Sequence, residues 1–229
     1  MSARFLKQVR SIVAKDLRRE LRTGEIVTTT VSFAVLLTVI FAFAFFAGDQ
    51  TVGIVFPGIL WIAIVFTGTL VISRTFAQEV ENGCLRALAL VPGTESSLYV
   101  AKLAINLLFM AVFEAFLLPL LALAFDVDLV NHLVPYVTIM AAGTVGFAAL
   151  GTLISAMLVH NRLRDVLLPI VLYPLAVPLL IAGVKATRTL FEGGSWSDIA
   201  NWMKILGGMD LIFLAAGWAT FGWVLRAVE

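Results

Sequence analysis

The sequence predicts an all-α membrane protein with six transmembrane helices preceded by an interfacial amphipathic helix. Three observations carry that prediction. Of the 229 residues, 61% are hydrophobic and only 14% charged, against about 25% charged in a typical soluble domain. The mean hydropathy is +1.01. The apolar residues also fall in long uninterrupted runs, each near the ~20 residues that a helix needs to cross ~30 Å of hydrocarbon. Membrane β-barrel strands would instead alternate polar and apolar positions, and a backbone in hydrocarbon must satisfy its own hydrogen bonds, which favours helices.

The predicted spans are Ile26–Ala47, Val52–Ser73, Leu103–Phe125, Leu133–Val159, Val166–Val184 and Ile205–Leu225. The first exceeds the ~7–15 apolar residues of a signal peptide, so it is expected to be retained. The fifth carries Pro169, Pro174 and Pro178. Each proline removes a backbone donor and clashes one turn back, so this span is not expected to run straight and uninterrupted. In the fourth, Ala142/Gly146, Ala148/Thr152 and Gly151/Ser155 form small-xxx-small pairs. They suit tight packing inside one bundle, with a homodimer seam as the rival reading.

Orientation follows from the basic residues. Arg4, Lys7, Arg10, Lys15, Arg18, Arg19 and Arg22 precede the first span. Arg74, Arg86, Lys102, Arg162, Arg164 and Arg226 fall in later segments of the same side, against Lys185, Arg188 and Lys204 on the other. The positive-inside rule then places both termini in the cytoplasm. Net charge is +1, which suggests no nucleic-acid partner. One cysteine, Cys84, excludes an intrachain disulfide. The sequence has no GxxxxGK(S/T) phosphate-binding loop, and no Gly-Lys pair occurs in it, so any ATP must be bound by another chain. No nucleophile–base constellation or metal-ligand cluster marks an enzyme.

Three segments outside the spans stand out. Residues 1–25 read as a cytoplasmic amphipathic helix at the interface, with Phe5, Leu6, Val9, Ile12, Val13 and Leu17 on one face. Asp16 and Glu20 fall on that apolar face. The bland explanation is snorkelling or a local salt bridge; the sharper one is contact with a buried polar group or a partner. Segment 74–98, between spans two and three, combines Glu79 and Glu81 with Phe76, Leu85, Leu88, Leu90 and Val91, which suits a short protein-docking helix rather than a solvated connector. Ser195–Met203 reads as a short interfacial helix capped by Ser195 with Asp198 three residues on. Its Trp196 and Trp202 suit the headgroup region, with a surface for a flat aromatic ligand as the alternative.

Within the spans, Glu114 lies about 18 Å from Lys102 along a helix. A carboxylate there must be paired, protonated or facing a polar cavity; an interhelical role and a pathway-lining role both stay open. Asp210, close to Lys204, reads as interfacial. His132 is a candidate haem-iron ligand on a loop, though a lone loop histidine is usually only polar.

In their order and spacing these parts resemble the CcmB family. The resemblance rests on Lys15-Asp16-Leu17-Arg18-Arg19-Glu20-Leu21-Arg22, on Gly58-Ile59-Leu60-Trp61-Ile62-Ala63 with Phe66, and on Arg74-Thr75-Phe76 with Glu79, Glu81 and Gly83. It continues through Pro92, Tyr99, Lys102, Asn106 and Glu114, and spans nearly the whole chain. It implies a six-helix, non-catalytic permease subunit of ABC-2-type architecture in the bacterial inner membrane. Such a subunit pairs with a second copy of itself and with a separate CcmA-like ATPase that binds ATP, beside CcmC-, CcmD- and CcmE-like proteins. Segment 74–98 would then hold a coupling helix, with Glu79, Glu81, Leu85 and Leu88 as candidate ATPase contacts. Haem is the cargo implied, either exported or released on its chaperone, and no cofactor is expected on this chain alone. The alternatives are an ABC-2-type permease for a lipid-linked sugar or a drug, and a non-transporting membrane scaffold.

Overall fold

The computed structural model describes residues 3–45, 49–81, 95–127, 133–159 and 161–226. Leu85, Leu88 and His132 lie outside them. Glu79 and Glu81 are described only as backbone of a helix.

Among the described residues there are seven helices and no strand: α1 (Ala3–Thr23), α2 (Glu25–Ala44), α3 (Asp49–Glu81), α4 (Glu95–Phe125), α5 (Leu133–Met157), α6 (Arg164–Phe191) and α7 (Trp196–Arg226). Six of them, α2 to α7, are long and apolar enough to cross a membrane. The chain is a multi-pass membrane protein. Four of the six hydropathy-defined spans sit inside longer helices, while α2 ends at Ala44 and α5 at Met157, short of the expected ends. Hydropathy marks where charges begin and not where backbone hydrogen bonding stops. Thus α3 runs past Ser73 to Glu81, and α4 begins at Glu95 rather than Leu103.

Three expectations are corrected. Ser195 immediately precedes α7, but its side chain does not cap it. Asp198 Oδ2 accepts both its backbone N–H and its hydroxyl, each at 2.8 Å, so the hydroxyl donates rather than accepting a helix N–H. Nor is Ser195–Met203 a separate interfacial helix, since α7 continues unbroken to Arg226. The Gly207-Gly208 pair does not stop it, because in hydrocarbon an opened backbone has no water to bond. The three prolines likewise do not interrupt α6, which is one helix from Arg164 to Phe191.

Between α1 and α2 the chain turns at Gly24, whose φ of 63° lies in the left-handed region that glycine enters without a Cβ penalty. Its N–H donates to the Glu20 carbonyl at 2.7 Å, closing α1. Asp126 takes φ 52° at the end of α4, where Val127 N–H reaches back to the Ala122 carbonyl at 3.0 Å.

The helix α5 lies at the centre. Gly146, Ala148, Gly151, Thr152 and Ser155 are all buried in it, so its small residues serve packing within one bundle. Ile72 of α3 fills the space at Gly151, and Leu179 of α6 with Asp210 of α7 fills that at Gly146. Trp61 of α3 is buried between α5 and α6, its ring against Gly143 and Gly183. Its indole N–H donates to Thr187 Oγ1 at 3.0 Å.

Candidate functional site

The amphipathic α1 packs its apolar face on the bundle, chiefly on α4, with Ile12, Val13 and Leu17 against the core and Phe5 beside Trp218 of α7. This explains the two misplaced acids. Asp16 Oδ2 accepts a hydrogen bond from Lys102 Nζ at 2.8 Å, and Lys15 Nζ lies 3.2 Å from its other oxygen. Glu20, also buried, accepts the backbone N–H of Val27 at 2.9 Å. One of the orphan donors at the start of α2 is thereby satisfied by a side chain from α1.

Lys102 is buried within the bundle. Its side chain is only 1% exposed, a position lysine holds only when paired. Besides Asp16 it donates to the Thr75 carbonyl at 3.3 Å. Thr75 Oγ1 donates to Asn106 Oδ1 at 2.6 Å, Asn106 Nδ2 donates to Thr152 Oγ1 at 2.9 Å, and Thr152 donates to the Ala148 carbonyl at 2.6 Å. A continuous polar chain therefore links α1, α3, α4 and α5. Beside it, Arg74 of α3 pairs with Glu25 of α2, and Ser73 Oγ donates to Asp165 of α6 at 2.8 Å.

This hub stands at the foot of α3 and α4, the two helices that flank residues 82–94. A buried ion pair and directional hydrogen bonds make poor springs: they hold one geometry or break. The hub thus ties the feet of α3 and α4 to α1 and α5. The partners of Asp16 could not be read from the sequence, although Lys102 and Asn106 share a helix face at i, i+4 spacing, as Asp16 and Glu20 do.

Two carboxylates lie deeper. Glu114 is buried and accepts a hydrogen bond from Thr144 of α5, an interhelical bond between α4 and α5. Because α4 starts at Glu95, Glu114 lies about 28 Å along it, deeper than the count from Lys102. Asp210 lies about 21 Å along α7, which starts at Trp196, and packs against Gly146 of α5. Its Oδ1 has no hydrogen-bond partner among the described residues. Trp196 is exposed, whereas Trp202 is half-buried against the core. They sit about 120° apart around α7. Among the described residues no cluster of three or more His, Cys, Asp or Glu side chains is assembled.

The family model described as "CcmB protein" matches residues 7–226. The chain belongs to the CcmB family. Similar proteins include heme exporter protein B of Rhodobacter capsulatus, 26% identical over 81% of this chain and 84% of the relative. Those named heme exporter protein B in Paracoccus denitrificans and Pseudomonas aeruginosa are each 26% identical, over 90% and 83% of this chain and 93% and 84% of the relative. The residues that carried the CcmB resemblance are far apart in sequence, yet Asp16, Glu20, Arg74, Thr75, Lys102 and Asn106 all belong to the hub or its margin.

Proposed function

We propose that this CcmB-family chain is the membrane-spanning permease subunit of an ATP-driven ABC complex in cytochrome c biogenesis. The names of its relatives support a haem-export role. The observation that best supports coupling is the buried Lys102–Asp16 pair, which joins α1 to the feet of the two helices flanking residues 82–94. ATP is hydrolysed in a separate CcmA-like subunit docked on that segment, where Glu79, Glu81, Leu85 and Leu88 are the proposed contacts. The motion enters at α3 and α4 and passes through the hub to α1 and α5. A second copy of the chain completes the permease, and CcmC-, CcmD- and CcmE-like proteins work beside it. The haem is either moved across the membrane or released on its chaperone. The Lys and Arg distribution supports an inner-membrane orientation with both termini cytoplasmic.

The test is a pull-down of the tagged chain from native membranes, read by mass spectrometry and by a haem absorption spectrum. An ABC ATPase recovered with cytochrome c maturation proteins is the expected result. An ATPase recovered with lipid or glycan machinery moves the cargo to that class, and recovery of no ATPase overturns the permease reading.

A further inference from the structure

Helix α1 lies across one end of the bundle. Successive spans alternate in direction, so the start of α2, the start of α4 and the end of α7 share one side of the membrane. Contacts of α1 reach all three. Gly24 alone separates it from α2, its Asp16 holds Lys102 near the start of α4, and its Phe5 packs beside Trp218 near the end of α7. A helix about 32 Å long that meets these three points runs along the membrane surface. Phospholipid headgroups lie beside it on whichever side that is.

The outer face of α1 is strongly positive. Both acids of the helix are taken up on its inner face, Asp16 by Lys102 and Glu20 by the Val27 N–H. At 100° per residue, Lys7, Ser11, Arg18 and Arg22 fall within about 60° of one another on the opposite side, and all four are exposed. Arg18, Arg19 and Arg22 line one open cleft together with Ser11. Among the described residues, Lys7, Arg10, Arg18, Arg19 and Arg22 make no ion pair. The whole chain carries a net charge of only +1, so positive charge is concentrated on this face. The helix dipole favours cations in the last turn, which accounts for Arg22 but not for Lys7 and Arg10. Like charges one turn apart repel, and an anion beside them relieves that repulsion.

Two leucines separate a membrane from a water-soluble acidic partner. Leu6 and Leu21 are exposed at 57% and 80%. With Arg10 they fall within another 60° or so, alongside the basic row. Apolar side chains next to Lys and Arg on a surface helix fit the boundary between headgroups and acyl chains. A soluble acidic protein or a nucleic acid offers no acyl layer to receive them.

We propose that the outer face of α1 binds anionic phospholipid headgroups, with Arg18 and Arg22 on the phosphates and Leu6 and Leu21 in the acyl layer. Lipid on this face holds in place the helix whose inner face supplies Asp16 to the hub. Neither cargo nor ATPase enters into it, so this site and the permease reading can fail separately.

The test titrates the purified full chain in nonionic detergent with acyl-chain-labelled phosphatidylglycerol and with its phosphatidylcholine counterpart, read by fluorescence anisotropy. Phosphatidylglycerol is expected to bind at least about tenfold more tightly. Arg18→Gln combined with Arg22→Gln should lower that preference by about tenfold or more. Lys185→Gln combined with Lys204→Gln, exposed positions towards the other end of the bundle, should leave it unchanged. Equal binding of the two lipids, or an unaltered preference in the Arg18/Arg22 variant, would overturn the proposal. Displacement of the lipid by millimolar inorganic phosphate would assign a free anion instead and overturn it too. If the Arg18/Arg22 variant fails to fold, the parent chain decides. Raising salt to about 0.5 M must then weaken phosphatidylglycerol binding severalfold, and an indifferent affinity overturns the site. In native membranes, a photoreactive phenylalanine analogue at Leu21 is expected to capture lipid. Capture of protein alone would mean that a protein covers this face, against the proposal.

Discussion

Lys102 Nζ lies 2.8 Å from Asp16 Oδ2 and 3.3 Å from the Thr75 carbonyl oxygen, so a single buried ammonium joins α1, α3 and α4. Breaking such a pair from one side leaves an uncompensated buried charge, at a cost of about 3–5 kcal/mol. Asp16→Leu and Lys102→Met are each expected to lower the unfolding temperature in detergent sharply. The double variant, with both charges gone, should recover most of the loss. A strictly additive double variant in that melting series would show that the two groups do not interact.

The joint between α1 and α2 gives a second expectation. Glu20→Ala removes the acceptor for Val27 N–H, a loss of about 1 kcal/mol by analogy with helix caps, whereas Glu20→Gln keeps an acceptor and should stay near the parent. Gly24→Ala forces a Cβ into φ 63°, costing about 1–2 kcal/mol. Limited proteolysis of the purified protein, read as the rate of cleavage between α1 and α2, ranks the three variants.

Legibility divides along these same residues. Six apolar helices follow from composition and run length, and Asp16 and Glu20 stand out in the sequence as acids on an apolar stripe. Periodicity shows that they are misplaced but cannot show what meets them, because Lys102 and Thr75 approach only when distant helices pack. The same limit applies to Asp210. Its proximity to Lys204 suggests an interface, and only the continuous α7 reveals that both residues lie inside one long helix. Trp61 is the converse case. Its hydrophobic neighbours place it in a span, while the two glycines that receive its ring sit on other helices.

Around Trp61 the fit is close. A Cβ at Gly183 would lie 2.3 Å from the indole ring, and one at Gly143 2.1 Å from it. Gly183→Ala and Gly143→Ala are expected to destabilise by about 1–3 kcal/mol through overpacking. Thr187→Val strands the buried indole N–H, costing about 1–3 kcal/mol. Combining Gly183→Ala with Trp61→Phe should cost less than the sum of the two, as read by thermal unfolding, and full additivity would count against this contact.

Gly146 and Asp210 form another testable pair. A Cβ at Gly146 would lie 2.4 Å from Asp210 Oδ1 and 2.4 Å from Leu179 Cδ1. Gly146→Ala should destabilise the parent by about 1–3 kcal/mol and cost less in an Asp210→Ala background, where the carboxylate no longer occupies the space. An equal penalty in both backgrounds would assign the effect to Leu179 alone.

Among the described helices the most extensive packing is between α5 and α7, and α7 follows the other six in the chain. During synthesis α5 therefore enters the membrane with the notch at Gly146 uncovered and must wait for Asp210 to arrive. Until then the nascent chain presents small, unfilled helix faces to lipid. The bundle can close only after α7 has been made, so a chain that stalls before α7 keeps the α5 face that α7 covers open.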